Sequence, residues 1–411
     1  MSRLIFAVFL LLSSLVLPIP AAAIDILALP TLPGRELDAW RYVPVGGQPA
    51  LYPVKRIYRD QPFRLLVIGK EYKTDGEKNV NITYTVKIFA PNGEVLSQEK
   101  ELDLFKGGVT DNSFLLLSRQ FLTLTFSESD PFGTYRFEVT ARDSVASQQG
   151  STTAEIVLSS SSNRPLFGSK EEFSDWVGNY YRDPDPVRAI TALFQYVDPE
   201  LSAVEKQSPL LTFLSRIVQK NPFLWPQLKA LYSTAVTAER KKILLIAALS
   251  GQPDDLFYSS LQPDLLTFYR HAQSANLLEP TGRPVTANEI NTLWAEFMAT
   301  GSIDPIRKLV GSLRLESTRG AQDKIDADKV EATSELKAEA ALESVYQIAL
   351  GSLLRNGEQH SLVKQYLGYI YDFENLEPRI KLQLEEILAI LKQRSNEEEA
   401  RKYLEEKGAE K

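Results

Sequence analysis

The hydrophobic period of this chain changes once, from two residues to about 3.6, across the polar stretch SSSSNRP at Ser159–Pro165. Apolar side chains at every second position line one face of a strand. Those at i, i+3, i+4 and i+7 line one face of a helix. Before the stretch, FRLLVIG (Phe63–Gly69), VNITYTVKIF (Val80–Phe89), LLLSRQFLTLTF (Leu115–Phe126), TYRFEVTARD (Thr134–Asp143) and TTAEIVL (Thr152–Leu158) alternate and are rich in β-branched and aromatic residues. Asn92-Gly93 falls between two alternating runs, the signal of a tight hairpin turn. Six or seven strands in roughly 110 residues predict an antiparallel sandwich of immunoglobulin-like type. The Cys and Trp hallmarks of true immunoglobulin domains are missing, which leaves the topology open.

Beyond Pro165 no strand pattern recurs. In IDPIRKLVGSL, Ile306, Leu309, Val310 and Leu313 share one helix face. Helix starts are marked by a capping residue followed by Pro: Asp185-Pro186, Asp198-Pro199, Asn221-Pro222, Asp304-Pro305 and Glu377-Pro378. Pro fixes φ near the helical value and lacks the N–H that a first turn leaves unpaired, while the residue before it is pushed to an extended conformation. In FSDWVGNYYRDPDPVRAITALFQYV, Asp185 is therefore expected to cap a helix whose stripe is Val187, Ile190, Leu193 and Phe194. Trp176, Tyr180 and Tyr181 are expected to end the preceding helix and pack in the core. The pairs recur at irregular spacing, which predicts stacked helical hairpins without a fixed repeat. From Glu316 to Val345 charges alternate and apolar residues thin out, compatible with a solvated helix or with a mobile loop. The final stretch reads as two amphipathic helices, with Ile380, Leu384, Ile387, Leu388 and Leu391 on one face.

The expected class is multidomain, all-β plus all-α. Residues 1–23 form a signal peptide, 24–50 an N-terminal extension, 51–158 the immunoglobulin-like sandwich, 159–168 a linker and 169–411 the α-helical domain. The leader carries Arg3, an apolar run from Leu4 to Leu17 too short to span a bilayer, and small residues at Ala21-Ala22-Ala23. Cleavage after Ala23 leaves 388 of 411 residues, and without a following Cys no lipoprotein anchor is expected. The mature chain is expected to be periplasmic, or else extracellular, with no integral membrane segment. A core of that size explains how a protein without cysteine manages in an oxidising compartment. The formal charge of −7 becomes −8 without Arg3, and no basic block offsets it, which argues against nucleic acid.

Three elements of the helical half, WVGNYYRDPDP (Trp176–Pro186), LWAEFMATGSIDPI (Leu293–Ile306) and ALGSLLRNGEQHSLVKQYL (Ala349–Leu367), form a recognisable set. In order and rough spacing they resemble a family of uncharacterised bacterial helical proteins with a W-x-x-N-Y-Y…P-x-P element followed by L-W-x-x-F-x-A-T-G. The resemblance spans roughly Phe173 to Leu367 and implies a fold kinship and a bacterial source, with no activity attached. The acidic insertion from Asp323 to Lys337 departs from it.

The chain offers little recognisable chemistry. His271 and His360 have no His partner at i+3 or i+4, and neither G-x-S-x-G, a Walker A loop nor H-E-x-x-H occurs. Gly46-Gly47 and Gly107-Gly108 read as turn glycines. Asp130 and Asp143 could offer oxygen ligands to calcium, but SESDPFG and ARDSV read better as turns. His360 reads as a loop or cap residue, with Gly357 ending the helix before it. No catalytic, cofactor-binding or metal residue is singled out, and no cofactor is expected. The leading function is therefore a non-enzymatic binding or scaffold protein of the bacterial envelope that recognises a polypeptide, another envelope protein, through a sheet edge or a concave helical face. The alternative is a carbohydrate-active enzyme with the β-domain as accessory module and paired carboxylates in the helical domain.

Overall fold

A computed structural model describes residues 24–110, 115–162, 165–197, 208–274, 284, 286–328 and 333–409. The expected signal peptide and the Asp198-Pro199 pair lie outside them. The fold is mixed, 51% helical and 21% strand, with a curled half-barrel and a small antiparallel sheet. The expected immunoglobulin-like sandwich followed by a helical array is therefore incorrect.

The strands are β1 (Asp25–Thr31), β2 (Arg56–Tyr58), β3 (Phe63–Lys70), β4 (Asn79–Phe89), β5 (Val95–Gly108), β6 (Leu116–Leu117), β7 (Leu122–Leu124), β8 (Gly133–Asp143) and β9 (Gln148–Ser159). The larger sheet runs β2-β9-β8-β4-β5, and the smaller runs β1-β3-β6 with β7 also on β3. Two causes explain the departure from a sandwich. The stretch expected as one strand at Leu115–Phe126 is broken at Ser118–Gln120, leaving two pieces too short to build a second full sheet. β2 pairs with β9 in parallel, Arg56 opposite Val157 and Tyr58 opposite Ser159, which a hairpin-built sandwich does not require.

The chain divides into two compact units, and β1, β3, β8 and β9 each contribute to both. The first unit comprises 24–28, 66–121 and 136–154. Its centre is β4, where Val80, Ile82, Tyr84, Val86 and Ile88 alternate inward and are buried. β4 pairs antiparallel with β8 from Ile82 opposite Asp143 to Phe89 opposite Arg136. The Asn92-Gly93 hairpin forms as expected: the Ala90 N–H donates to the Glu94 carbonyl at 2.8 Å, and Gly93 takes φ +86°, which an L side chain resists. β5 is mostly exposed, and Glu101 at φ +55° lies beside a break in its register with β4, a bulge of the kind that blunts sheet edges. Gly107 and Gly108 pair with Val80 and Asn79 and so end a strand instead of forming a turn.

The second unit comprises 29–65, 122–135 and 155–411. Its helices are α1 (Arg35–Arg41), α2 (Lys170–Asn179), α3 (Arg188–Tyr196), α4 (Pro209–Lys220), α5 (Leu224–Thr234), α6 (Thr237–Ser250), α7 (Asp255–Ser259), α8 (Pro263–Ser274), α9 (Ala287–Thr300), α10 (Asp304–Gly311), α11 (Ala321–Asp328), α12 (Ser334–Gln359), α13 (Ser361–Phe373) and α14 (Pro378–Ala409). Pro305 and Pro378 stand in the first turns of α10 and α14, as expected, but Asp304 and Asn221 are not N-caps: Ile303 takes that position before α10, and Asn221 closes the C-terminal end of α4. Trp176, Tyr180 and Phe213 pack edge to face, with Trp176 at 5.2 Å from Phe213, and Tyr181 is fully buried. Ile290, Leu293, Trp294 and Phe297 bury one side of α9, which Gly301 ends at φ +67°. The final stretch is one helix, not two, and Ile380, Leu384, Ile387 and Leu391 are its buried face. Gly357 lies inside α12, where a Cβ would stand 2.6 Å from Leu391 Cδ1: it permits a close helix approach and ends nothing. The described parts of Glu316–Val345 are helical apart from a turn at Arg319–Gly320 and the cap residue Thr333.

Candidate binding cleft

Most of the segment read as an N-terminal extension, from Leu29 on, is part of the second unit, and residues 39–52 strap across α13. Ser361, Gln365, Gly368 and Asp372 follow a helical spacing of four, three and four, so they share one face. Tyr52 Oη meets Ser361 Oγ at 2.5 Å, and the Val45 N–H donates to Asp372 at 2.8 Å. Buried Gln365 is the main fastener: its Oε1 accepts from the Ala50 N–H at 2.6 Å, and its Nε2 donates to the carbonyls of Ala39 at 2.6 Å and Tyr42 at 2.8 Å. A Cβ at Gly368 would stand 3.0 Å from Pro44 Cβ, so the glycine lets the strap lie close. Buried Ala39 belongs to α1, so the strap holds that helix in place.

Held there, α1 forms one wall of a cleft of about 510 Å³. Leu37, Asp38 and Arg41 face it from α1, with Leu32 and Pro33 just before. The C-terminal ends of α4 and α9 also line it: Arg216, Gln219, Lys220 and the cap residue Asn221 from one, Glu296, Ala299 and Thr300 from the other. Gln61, Pro62, Tyr180, Pro222 and Phe223 complete it. The two helices pack along their length, and Arg216 pairs with Glu296 at 2.9 Å in half-buried surroundings. Buried Gln61 donates to Asn221 Oδ1 at 2.9 Å and accepts from the Tyr58 N–H at 3.2 Å, while Asn221 Nδ2 donates to the Ile217 carbonyl at 2.8 Å. The polar base of the cleft is thus fixed by hydrogen bonds on both sides.

Asp185 does not cap a helix. α3 begins at Arg188 with Val187 at its cap position and no side-chain cap bond. The Asp185 carboxylate instead accepts from Tyr58 Oη at 2.5 Å and from Arg56 at 3.2 Å, tying β2 to the WVGNYYRDPDP corner. Burial, and then the neighbouring carboxylate, push the Tyr58 phenol far above its usual range, so it stays a donor. Phe223 stacks on Tyr58 with ring centroids 5.9 Å apart, which extends this anchor to the cleft wall.

The other singled-out residues are dispersed. His360 is the junction of α12 and α13, as a cap reading expects, but it is buried and its Nδ1 lies 3.1 Å from Tyr181 Oη, which also accepts from Arg182 Nε at 3.0 Å. Burial, and then the Arg182 charge, lower its pKa to about 4. His271 is exposed on α8. The Asp130 carboxylate accepts from the Ser127 N–H at 2.6 Å, and Asp143 from the N–H groups of Val145 at 2.9 Å, Ala146 at 3.2 Å and Lys73 at 3.3 Å, so both serve turns. Among the described residues no group of three or more His, Asp or Glu could hold a metal ion, and no helix is long and apolar enough to cross a membrane. Sequence reasoning missed Gln61, Gln365 and the Arg216–Glu296 pair. The available signal was a polar residue, Gln365, inside the apolar pattern of α13.

Comparison with protein-family models finds no match, and comparison with curated proteins finds none. A solved structure, pT26-6p, matches 80% of this chain and 49% of its own at 10% identity and a TM-score of 0.18. The chain thus spans about half the length of that structure, and a score so low carries no argument about fold or function.

Proposed function

We propose that this is an exported, non-enzymatic binding protein of the bacterial envelope, and that the cleft between α1 and the ends of α4 and α9 receives a polypeptide partner. The observation that carries the reading is the cleft's make-up. Its volume of about 510 Å³ has a hydrogen-bonded base, and its lining combines apolar Leu37, Pro62 and Phe223 with polar Gln219 and Thr300. Pockets of roughly 300–1,000 Å³ with mostly apolar walls and a few placed polar groups are the usual form of a recognition site.

The short apolar run after Arg3 and the small residues Ala21-Ala22-Ala23 support export. N-terminal sequencing of the envelope protein is expected to begin at Ile24, and Met1 retained in a membrane fraction would contradict it. The binding reading is tested in cells with a photocrosslinking amino acid at Gln219 and, as a control, at Leu382, which is exposed on α14. A discrete protein adduct at 219 but not at 382 is expected. Equal or no adducts at both positions would contradict it.

One observation favours a second reading: Asp38 and Glu296, two carboxylates, line the same cleft. Glycoside hydrolysis needs one such acid protonated, and an ion pair with Arg216 is the wrong setting for a proton donor. Release of reducing sugar from envelope polysaccharide, abolished by Asp38→Asn, would establish this reading instead.

A further inference from the structure

Resting on the binding reading, we infer that the cleft takes the C-terminal end of its partner polypeptide, with an apolar last side chain and a free carboxylate. Three observations on the cleft lead there.

The first is charge. The whole chain is acidic, with a formal charge of −7. The described side chains of the cleft invert that balance, with Arg41, Arg216 and Lys220 against Asp38 and Glu296. Arg216 is engaged with Glu296 at 2.9 Å. Arg41 and Lys220 are exposed, and neither forms an ion pair among the described residues. They come from two separate elements of the lining, α1 and α4, so a carboxylate entering the cleft meets positive charge supplied by both. Each also stands in the last turn of its helix, where the helix dipole favours a cation. That accounts for a positive residue on each helix taken singly. It does not account for the two being brought to one cleft.

The second is the apolar surface beside those cations. Leu37 comes one turn after Pro33 on the α1 side, and Pro222 and Phe223 come just after Lys220 and Asn221 at the end of α4. An apolar side chain is therefore accommodated next to the carboxylate site. The ring of Phe223 is already oriented by stacking on Tyr58.

The third is size. About 510 Å³ falls in the range of small-ligand sites, roughly 300–1,000 Å³. It has room for a few residues and not for a long strand laid across the surface. A chain end satisfies charge, apolarity and size together, because its last residue supplies both carboxylate and side chain.

The test uses the mature chain from Ile24 and two libraries of randomised seven-residue peptides, one with free C-termini and one presented internally within a loop. The expected result is enrichment from the first library of tails ending in an apolar residue. Amidation of their C-terminus should weaken them at least about tenfold, the equivalent of one charge contact of ~1.4 kcal/mol. Arg41→Ala/Lys220→Ala should give a similar loss, and Phe223→Ala should relax the preference at the last residue, with melting temperatures of both variants recorded to show that they remain folded. The affinity of the selected tails should fall with added salt. Enrichment from the internal library alone, or tails insensitive to amidation, would overturn the chain-end inference and leave polypeptide binding standing. No enrichment from either library would overturn both.

Discussion

At the scale of single residues, the side chains that decide this structure are those whose partners lie far away in sequence. Asp185 illustrates it: local rules assign the residue before Pro186 to a helix cap, yet its carboxylate is taken by Tyr58 and Arg56, more than 120 positions earlier. A double-mutant cycle separates the two roles. Asp185→Ala and Tyr58→Phe are each expected to cost about 1–3 kcal/mol in denaturant unfolding, as for a hydrogen bond to a charged group. The double variant should cost less than the sum by roughly 1 kcal/mol, because either change removes the shared bond. Strictly additive losses would restore the cap. His360 provides a second test. Its pKa of about 4 in the folded chain lies below the ordinary value near 6.5, so below that value the unfolded chain binds a proton that the folded one refuses. Stability is thus expected to be constant from this source above pH 6.5, to fall as pH drops from 6.5 to 4, and to level below. His360→Gln should remove that component of the pH profile. An unchanged slope between pH 6.5 and 4 would show that His360 does not produce it.

At the scale of elements, the strap over α13 makes the cleft, and its test follows from its fasteners. Gln365→Leu keeps the volume of the side chain but removes three hydrogen bonds to the strap. Hydrogen exchange of the peptide covering residues 39–52 is expected to accelerate strongly, while the buried amides of α9 stay protected. Unchanged exchange over the strap would mean that apolar contact alone holds it. The same elements show how far the sequence could be read. β3, β4, β8 and β9 and the hairpin at Gly93 were legible because alternation and turn chemistry are local. So were the starts of α10 and α14, set by Pro305 and Pro378, and the burial of Trp176, Tyr180 and Tyr181. The strap was not, because residues 39–50 lack a strong period and are fastened by Gln365 and Gly368 more than 300 positions later. Gly357 misled for a related reason: a glycine that admits Leu391 looks the same in sequence as one that ends a helix.

At the scale of the whole molecule, the period change at Ser159 located a real shift from strand to helix, and still the immunoglobulin-like sandwich followed by a helical array was wrong. A linear reading assigns each stretch to one place, whereas the helix-bearing unit here gathers 29–65 and 122–135 along with the helical residues. The cleft follows from that gathering, since α1 and Gln61 come from the early segment and α4 and α9 from the late one. Nothing local in Gln61 or Arg41 announces a shared site. On the proposed function, this cleft and not the exposed β5 edge meets the partner. Hydrogen exchange of the mature protein, alone and with the protein captured at position 219 added back, tests it most directly. New protection is expected in the peptides covering residues 33–41, 216–223 and 296–302, with β5 unaffected. Protection confined to Val95–Gly108, with those three peptides exchanging as before, would contradict it.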